Sequence, residues 1–276
     1  MKPLALVVEN DLGTRRLLNV LLTRFGFEVD LVPSGSDALL LVEHAEYDLL
    51  LVSLMLPGVS GMEVLQRIEQ NRPEMLARCV VLSSGSPVQL GRIAQKWPQV
   101  RGIRKPFELA EITDIAHQAA AGQTHRTDTP DEQFCRLSVR LGAKSGVVLR
   151  RNGSFLEDVL SYGYRREMLD RFVPMPVDAP YPLCAALRNA RPVWIASVTL
   201  ASPDYLSLVP VWQKNESHAL ASLPLIQNGI AIGVAGWAFR EPRPFQDEER
   251  AAFQAIADSI APLLSSAPRS DSRAHA

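Results

Sequence analysis

The 276-residue sequence has few of the features that mark secreted, membrane or nucleic-acid-binding proteins. Its three cysteines, Cys79, Cys135 and Cys184, are scattered and lack CxxC spacing, which argues against a disulfide framework or a zinc site. The net charge is only −1, so no overall field attracts nucleic acid. No apolar run approaches the roughly 20 residues of a membrane span, and no signal-peptide pattern is present. We therefore expect a reduced, cytoplasmic protein that binds neither nucleic acid nor membranes.

Residues 1–121 alternate short apolar runs with segments of helical periodicity. Runs such as 4–8, 49–52 and 79–82 are typical of buried strands, and apolar residues recur at helical spacing between them. Strands and helices that alternate this closely predict an α/β domain, doubly wound around a five-stranded parallel sheet. In such a sheet, the functional site lies at the carboxyl ends of the strands.

The periodicity disappears in residues 122–131, GQTHRTDTPD, which we interpret as a linker. Beyond it, Asn152-Gly153 and Asn228-Gly229 each separate two apolar runs, which is typical of β-hairpins. Helical patterns flank these hairpins, so residues 132–267 are predicted to form an α+β domain with an antiparallel sheet. Residues 268–276 are polar and are predicted to be a disordered tail.

Several short stretches at the ends of the predicted strands share a pattern with a known family. They are Val7-Val8-Glu9-Asn10-Asp11, Ser53-Leu54-Met55-Leu56-Pro57-Gly58, Ser60-Gly61-Met62, Leu82-Ser83-Ser84-Gly85 and Lys105-Pro106-Phe107. In this order they make residues 1–121 resemble the receiver domain of two-component response regulators. The resemblance implies a flavodoxin-like fold in phosphorelay signalling, and a histidine kinase or another regulator as partner.

The resemblance also implies roles for five positions. In receivers, two acidic residues after the first strand and an aspartate after the third bind Mg²⁺, and that aspartate accepts the phosphoryl group. Here Glu9 is followed by Asn10, and Ser53 replaces the acceptor, while Ser83 and Lys105 match the family's phosphoryl-binding hydroxyl and lysine. The resemblance therefore implies a degenerate phosphoacceptor pocket, with Mg²⁺ bound weakly at best through Glu9. A serine without a neighbouring base is a poor nucleophile.

Two interpretations of the remaining polar groups stay open. Lys105 either pairs with Glu9 in a leftover polar network or binds an anion together with Ser83. Asp11 is expected to cap the first helix. Gly102 stands where the family has an aromatic residue that changes rotamer, so the usual switch lacks its moving part.

The surface that usually binds partners in receivers includes the fourth and fifth helices. Here it would contain Trp97, which either anchors a partner or packs against a neighbouring loop.

A second group of stretches resembles a GAF domain and spans residues 131 to about 266. It includes Ser161-Tyr162-Gly163-Tyr164, Arg188-Asn189-Ala190-Arg191-Pro192-Val193-Trp194, Ala221-Ser222-Leu223-Pro224-Leu225, Ile232-Gly233-Val234 and Phe245-Gln246-Asp247-Glu248-Glu249. GAF domains bind small molecules or dimerise through their terminal helices. The residues do not identify the ligand or its binding residues, although three tryptophans could line a pocket or belong to the core. These are Trp194, Trp212 and Trp237.

Both resemblances together predict a bacterial signalling adaptor or sensor. A pseudo-receiver would dock to other signalling proteins, and the GAF domain would sense a small ligand or form a homodimer. No HEXXH or Walker motif is present, so we expect neither enzymatic activity nor a cofactor. One alternative is a working phosphorelay receiver with a non-standard acceptor. Another is a GAF-based redox or chromophore protein, which is disfavoured because Cys184 lacks a neighbouring histidine and is expected to be a buried apolar residue.

Overall fold

A computed structural model describes residues 2–121 and 129–266 of the chain. The chain divides between Glu132 and Gln133 into two compact units, which are described separately below. The predicted tail, 268–276, lies outside the described residues, as does most of the predicted linker. The last two residues of that linker, Pro130 and Asp131, already belong to a helix.

The first unit is a five-stranded parallel sheet with strand order β2-β1-β3-β4-β5, as the alternating sequence pattern predicts. The strands are β1 (Leu4–Val8), β2 (Glu28–Val32), β3 (Leu49–Ser53), β4 (Cys79–Ser83) and β5 (Arg101–Arg104). The helices are α1 (Leu12–Arg24), α2 (Gly35–His44), α3 (Gly61–Asn71), α4 (Pro87–Lys96) and α5 (Leu109–Ala121), with a 3-10 helix at Pro73–Arg78.

Burial and register bring the ends of the central strands together. Every residue of β1, β3 and β4 is buried, which explains why these strands consist of almost continuous apolar runs. Val8 aligns with Val52, and Ser53 aligns with Leu82. Because the strands are parallel, the residues at their carboxyl ends lie along one edge of the sheet.

The helix starts next to this edge are fixed by local contacts. Asp11 caps α1, as predicted, by accepting a 2.7 Å hydrogen bond from the Thr14 backbone N–H. Ser60 and Glu63 form a capping box at the start of α3. A β-carbon on Gly61 would lie 2.2 Å from the Ser53 carbonyl oxygen, so only glycine allows α3 to approach β3 this closely.

The second unit contains a six-stranded antiparallel sheet with strand order β8-β7-β6-β11-β10-β9, which confirms the predicted α+β class. The strands are β6 (Ser145–Asn152), β7 (Phe155–Tyr162), β8 (Met175–Pro176), β9 (Val193–Ile195), β10 (Ala219–Gln227) and β11 (Ile230–Phe239). The helices are α6 (Pro130–Arg140), α7 (Arg166–Phe172), α8 (Pro182–Asn189), α9 (Val209–Lys214) and α10 (Asp247–Ser266), with 3-10 helices at Val198–Leu200 and Pro203–Leu208.

Both predicted hairpins are present. Asn228 and Gly229 join β10 to β11 with φ values of 51° and 77°, the left-handed pair that a two-residue type I′ turn requires. The first hairpin differs by one residue: β6 includes Asn152, and the turn consists of Gly153 and Ser154.

The apolar stripe of helix α10 packs against the sheet of its own unit. Phe253, Ile256 and Ile260 are buried, and the ring of Phe253 lies 5.0 Å from that of Trp237 on β11. The stripe therefore contributes to the packing of the sheet. In the described part of the chain, no helix combines the length and the apolar character that a bilayer crossing requires.

Candidate functional site

Three of the five predicted pocket residues meet at the edge of the parallel sheet. Glu9 directly follows β1, Ser53 ends β3, and Lys105 follows β5. Glu9 and Ser53 are buried, with relative exposures of 0% and 2%. The Lys105 ammonium forms an ion pair with Glu9 and lies 3.2 Å from the Ser53 hydroxyl oxygen. The lysine thus joins the carboxylate to the serine.

The carboxylate of Glu9 is held on both oxygens. Oε2 receives the Lys105 ammonium, and Oε1 accepts a 3.1 Å hydrogen bond from the Asp11 backbone N–H. The Arg15 guanidinium donates to the backbone carbonyls of Glu9 and Asn10. The Lys105 ammonium and the Asp11 N–H supply the compensation that the buried carboxylate needs.

The other two pocket residues do not join this cluster. Asn10 is exposed. Ser83 is buried and accepts a 3.0 Å hydrogen bond from the Gly85 N–H, while its hydroxyl donates to Gln89 Oε1 at 3.3 Å. The backbone N–H of Lys105 donates a 2.7 Å hydrogen bond to the Ser83 carbonyl. Among the side-chain hydrogen bonds of the described residues, none joins the Ser83 hydroxyl to the Lys105 ammonium. The ion pair of Lys105 with Glu9 is the contact that the leftover polar network requires. The binding of an anion by Lys105 together with Ser83 stays a prediction.

These residues do not fit a divalent metal. Mg²⁺ prefers several hard oxygen ligands, including carboxylates. Glu9 is the single carboxylate of the cluster, and an ammonium already neutralises it. Within residues 2–121 and 129–266, no three histidine, cysteine, aspartate or glutamate side chains come together in a metal-binding group.

The environment of Ser53 also bears on its reactivity. Its described side-chain partner is the Lys105 ammonium, which is a hydrogen-bond donor and cannot remove a proton. Serine attack on a phosphoryl donor requires a base that accepts the hydroxyl proton. The described contacts therefore hold Glu9, Ser53 and Lys105 together, and they place a cation, which is not a base, next to the Ser53 hydroxyl.

Gly102 and Trp97 lie away from this cluster. A β-carbon on Gly102 would lie 3.0 Å from Leu90 Cδ2, so Leu90 of α4 occupies the space beside the glycine. Trp97 follows α4 and is only 1% exposed. The interpretation of Trp97 as an anchor for a partner is wrong, because the ring is packed inside the unit.

The second unit contains a cavity of about 130 Å³ between its sheet and helices α7, α8 and α9. Its wall is mostly aliphatic and aromatic, and its polar side-chain groups include those of Asn215, Ser217 and Ser222 and the hydroxyls of Tyr164 and Tyr181. Apolar wall residues include Val147, Leu149, Leu169, Phe172, Val211 and Trp212. None of the described wall residues carries a formal charge.

The sequence patterns located this cavity only in part. Trp212 and Trp237 belong to its wall, whereas Trp194 packs 5.1 Å from the ring of Phe245. Helices α7 and α9 were missed, although Met168, Leu169 and Phe172 lie within one helical turn of each other and offered a signal for α7.

The cysteines are all buried and free. Burial raises the pKa of Cys184 to about 11 and that of Cys79 to about 12. Thiols with such pKa values stay protonated at neutral pH, and the thiolate is the reactive form. The expectation that Cys184 is a buried residue is confirmed by its exposure of 0%.

Comparison with known proteins agrees with both resemblances. A family model for the response regulator receiver domain matches residues 5–117, and a GAF domain model matches residues 132–265. The transcriptional regulator NtrC of Bradyrhizobium is 30% identical over 129 residues, which is 45% of this chain and 26% of that protein. The chain thus spans about a quarter of the length of this relative.

Two further proteins match single domains. The sporulation initiation phosphotransferase F of Bacillus subtilis is 27% identical over 112 residues, covering 40% of this chain and 86% of that protein. A solved GAF domain from an Acinetobacter phosphoenolpyruvate-protein phosphotransferase covers 50% of this chain and 81% of its own, with 8% identity and a TM-score of 0.42. On its two family matches, this chain is a signal-transduction protein that contains a response regulator receiver domain followed by a GAF domain.

Proposed function

We propose that this chain is a signalling adaptor whose receiver domain docks to partners without aspartyl phosphorylation and whose GAF domain senses a small ligand. It would act in the cytoplasm and without an enzymatic activity of its own. Receiver domains generally interact with histidine kinases and other signalling proteins. We infer that a histidine kinase or another regulator is the partner here.

One observation carries the receiver part of this proposal. The buried Glu9 carboxylate is paired with Lys105, whose ammonium also faces the Ser53 hydroxyl at the end of β3. An acceptor needs a nucleophilic oxygen and a nearby cation for the phosphoryl charge. Ser53 offers a protonated hydroxyl, and the nearby cation is already neutralised by Glu9. The chemistry of these side chains therefore supports a receiver domain that docks to its partners without being phosphorylated.

The GAF part of the proposal rests on the apolar cavity. Ligand sensing is favoured over dimerisation through the terminal helix, because the apolar stripe of α10 is buried in its own unit. A signal would then arise when a ligand or partner shifts the population of conformations, without a phosphoryl group.

The test is intact mass spectrometry after incubation of the purified protein with acetyl phosphate and Mg²⁺. We expect no phosphoryl adduct on the wild-type chain. Ser53→Asp restores a carboxylate at the end of β3, and Ser154→Asp adds one at an exposed turn of the other unit as the matched control.

A labile adduct on the wild-type chain would contradict the proposal and would support the working receiver with a non-standard acceptor. An adduct on Ser53→Asp but not on Ser154→Asp would show that the acceptor residue is what the natural site lacks. Acid stability of the adduct separates a serine phosphate from an acyl phosphate.

A further inference from the structure

The wall of the GAF cavity has two sides that differ in how firmly they are packed. The sheet side includes Val147 and Leu149 of β6, which are 5% and 1% exposed. Opposite the sheet, the wall consists of the start of α8, whose Pro182 is buried, and of α7, the 3-10 helix Pro203–Leu208 and α9. None of these last three elements contains a fully buried residue. Together we name these three elements the cover.

The cover carries large apolar side chains that are only half-buried. Leu169 and Phe172 of α7, and Val211 and Trp212 of α9, all face the cavity. Such side chains gain free energy when apolar surface is removed from water. A ligand in the cavity would complete their burial, so the cover is the part of the wall that a ligand would stabilise.

The volume limits the size of that ligand. A cavity of about 130 Å³ is close to the roughly 150 Å³ of an apolar protein cavity that accommodates benzene. One six-membered ring with a short substituent fits this space. A purine nucleotide, with its two fused rings, ribose and phosphate, would have to extend beyond this space.

The chemistry of the cavity wall limits the charge that a ligand can carry. An ionised group costs several kcal/mol or more to bury without a partner, and the described wall residues include no lysine, arginine, aspartate or glutamate. The Lys144 ammonium donates to the backbone carbonyl of the wall residue Asn215 and is engaged there. Asn215, Ser217 and Ser222 provide neutral hydrogen-bonding groups for a hydroxyl or carbonyl.

We propose that the GAF cavity binds a neutral, single-ring or similarly small apolar molecule with at most one or two polar groups, and that binding orders the cover formed by α7, Pro203–Leu208 and α9. This inference rests on the proposed sensing function of the GAF domain and specifies the class of ligand.

The experiment compares benzyl alcohol, benzoate and cyclic AMP as probes on the full-length chain. Binding is followed by isothermal titration calorimetry and by the thermal midpoint of unfolding. We expect benzyl alcohol to bind and to raise the midpoint, since it binds only the folded state. Benzoate has the same ring with a carboxylate, and we expect its affinity to be lower by at least about tenfold.

Two variants test whether the probe binds in the cavity. Ser222→Leu fills the cavity from β10, and we expect it to abolish the response to benzyl alcohol. Met168→Glu puts a charge on half-buried α7 without changing the core, and we expect it to weaken binding even if Ser222→Leu folds poorly. Ser154→Leu, at an exposed turn outside the wall, is the matched control that should bind like the wild type.

Three outcomes are distinguishable. Preferential binding of benzyl alcohol that both cavity variants reduce supports the inference. Tighter binding of benzoate or cyclic AMP overturns the ligand class but leaves ligand sensing in place. No binding of any of the three probes overturns both the ligand class and sensing through this cavity.

Discussion

Lys105 lies with its ammonium against a carboxylate that solvent does not reach, and it is itself only 19% exposed at the side chain. Pairs of this kind are asymmetric in their energetics: the whole pair contributes modestly, but the loss of one partner leaves a buried charge without compensation. The receiver site therefore depends on Lys105 for its stability, whatever it does in signalling.

Lys105→Met should lower the free energy of unfolding by about 3 kcal/mol, because Glu9 is then buried without its cation. Glu9→Gln should cost less, since the lysine side chain can turn towards water. Urea denaturation of the full-length chain measures both changes.

The matched control for this comparison is Lys96→Met. Lys96 pairs with Glu69 at 3.7 Å, but both side chains are more than 40% exposed, so the loss should stay below about 1 kcal/mol. Equal losses of unfolding free energy in Lys105→Met and Lys96→Met would show that the buried pair of Glu9 and Lys105 contributes no more to stability than an exposed pair.

Some of the site was predictable from the resemblance to receiver domains. Ser53 and Asn10 could be recognised as missing carboxylates because, at the ends of apolar strand runs, they stand at positions where the family has acidic residues. The partner of Ser83 could not be predicted, because Gln89 reaches it from α4 through a side-chain rotamer. Spacing along the chain carries no information on that rotamer.

At the scale of single elements, the start of α3 is set by the Ser60 and Glu63 capping box. Ser60→Ala removes the hydroxyl that accepts the Glu63 backbone N–H, and it should destabilise the protein by about 1 kcal/mol. Thermal or urea unfolding of the full-length chain measures the loss.

Ser86 offers the matched control for this substitution. It occupies the same cap position before α4, but its side chain makes no capping hydrogen bond. Ser86→Ala should therefore leave the stability unchanged within about 0.5 kcal/mol. A larger loss for Ser86→Ala than for Ser60→Ala would refute the assignment of the capping energy to the hydroxyl.

Elements with a continuous or regularly spaced apolar pattern were predicted from the sequence, whereas two short helices were missed. The buried strands β1, β3 and β4 were predicted because they are short, almost continuous apolar runs. The long helix α10 was predicted because its apolar residues recur over several helical turns. Helices α7 and α9 were missed because they contain only 7 and 6 residues, and Pro210 interrupts the second pattern near its start. The cavity wall depends on these short helices, so the sequence could not define it.

At the scale of the whole molecule, each sheet is built from one continuous part of the chain. The segment 122–131, which joins these parts, contains Arg126 as its single lysine or arginine. Limited trypsin digestion should therefore cut after Arg126, and after Arg269 and Arg273 of the predicted tail, before it cuts inside either sheet, because the sequence predicts both segments to be polar and without apolar periodicity. Mass spectrometry of the earliest products identifies the bond, and a first cut inside either sheet would contradict this division of the chain.

The burial of all three cysteines has a practical consequence for spectroscopy. A cysteine introduced at an exposed position of α7, such as Arg166→Cys, would be the most accessible thiol of the molecule. A maleimide dye or spin label could then be attached at that one place without removing any of the native cysteines. The label would stand on the cover of the GAF cavity, and its mobility would report directly on whether that helix becomes ordered when the cavity is filled.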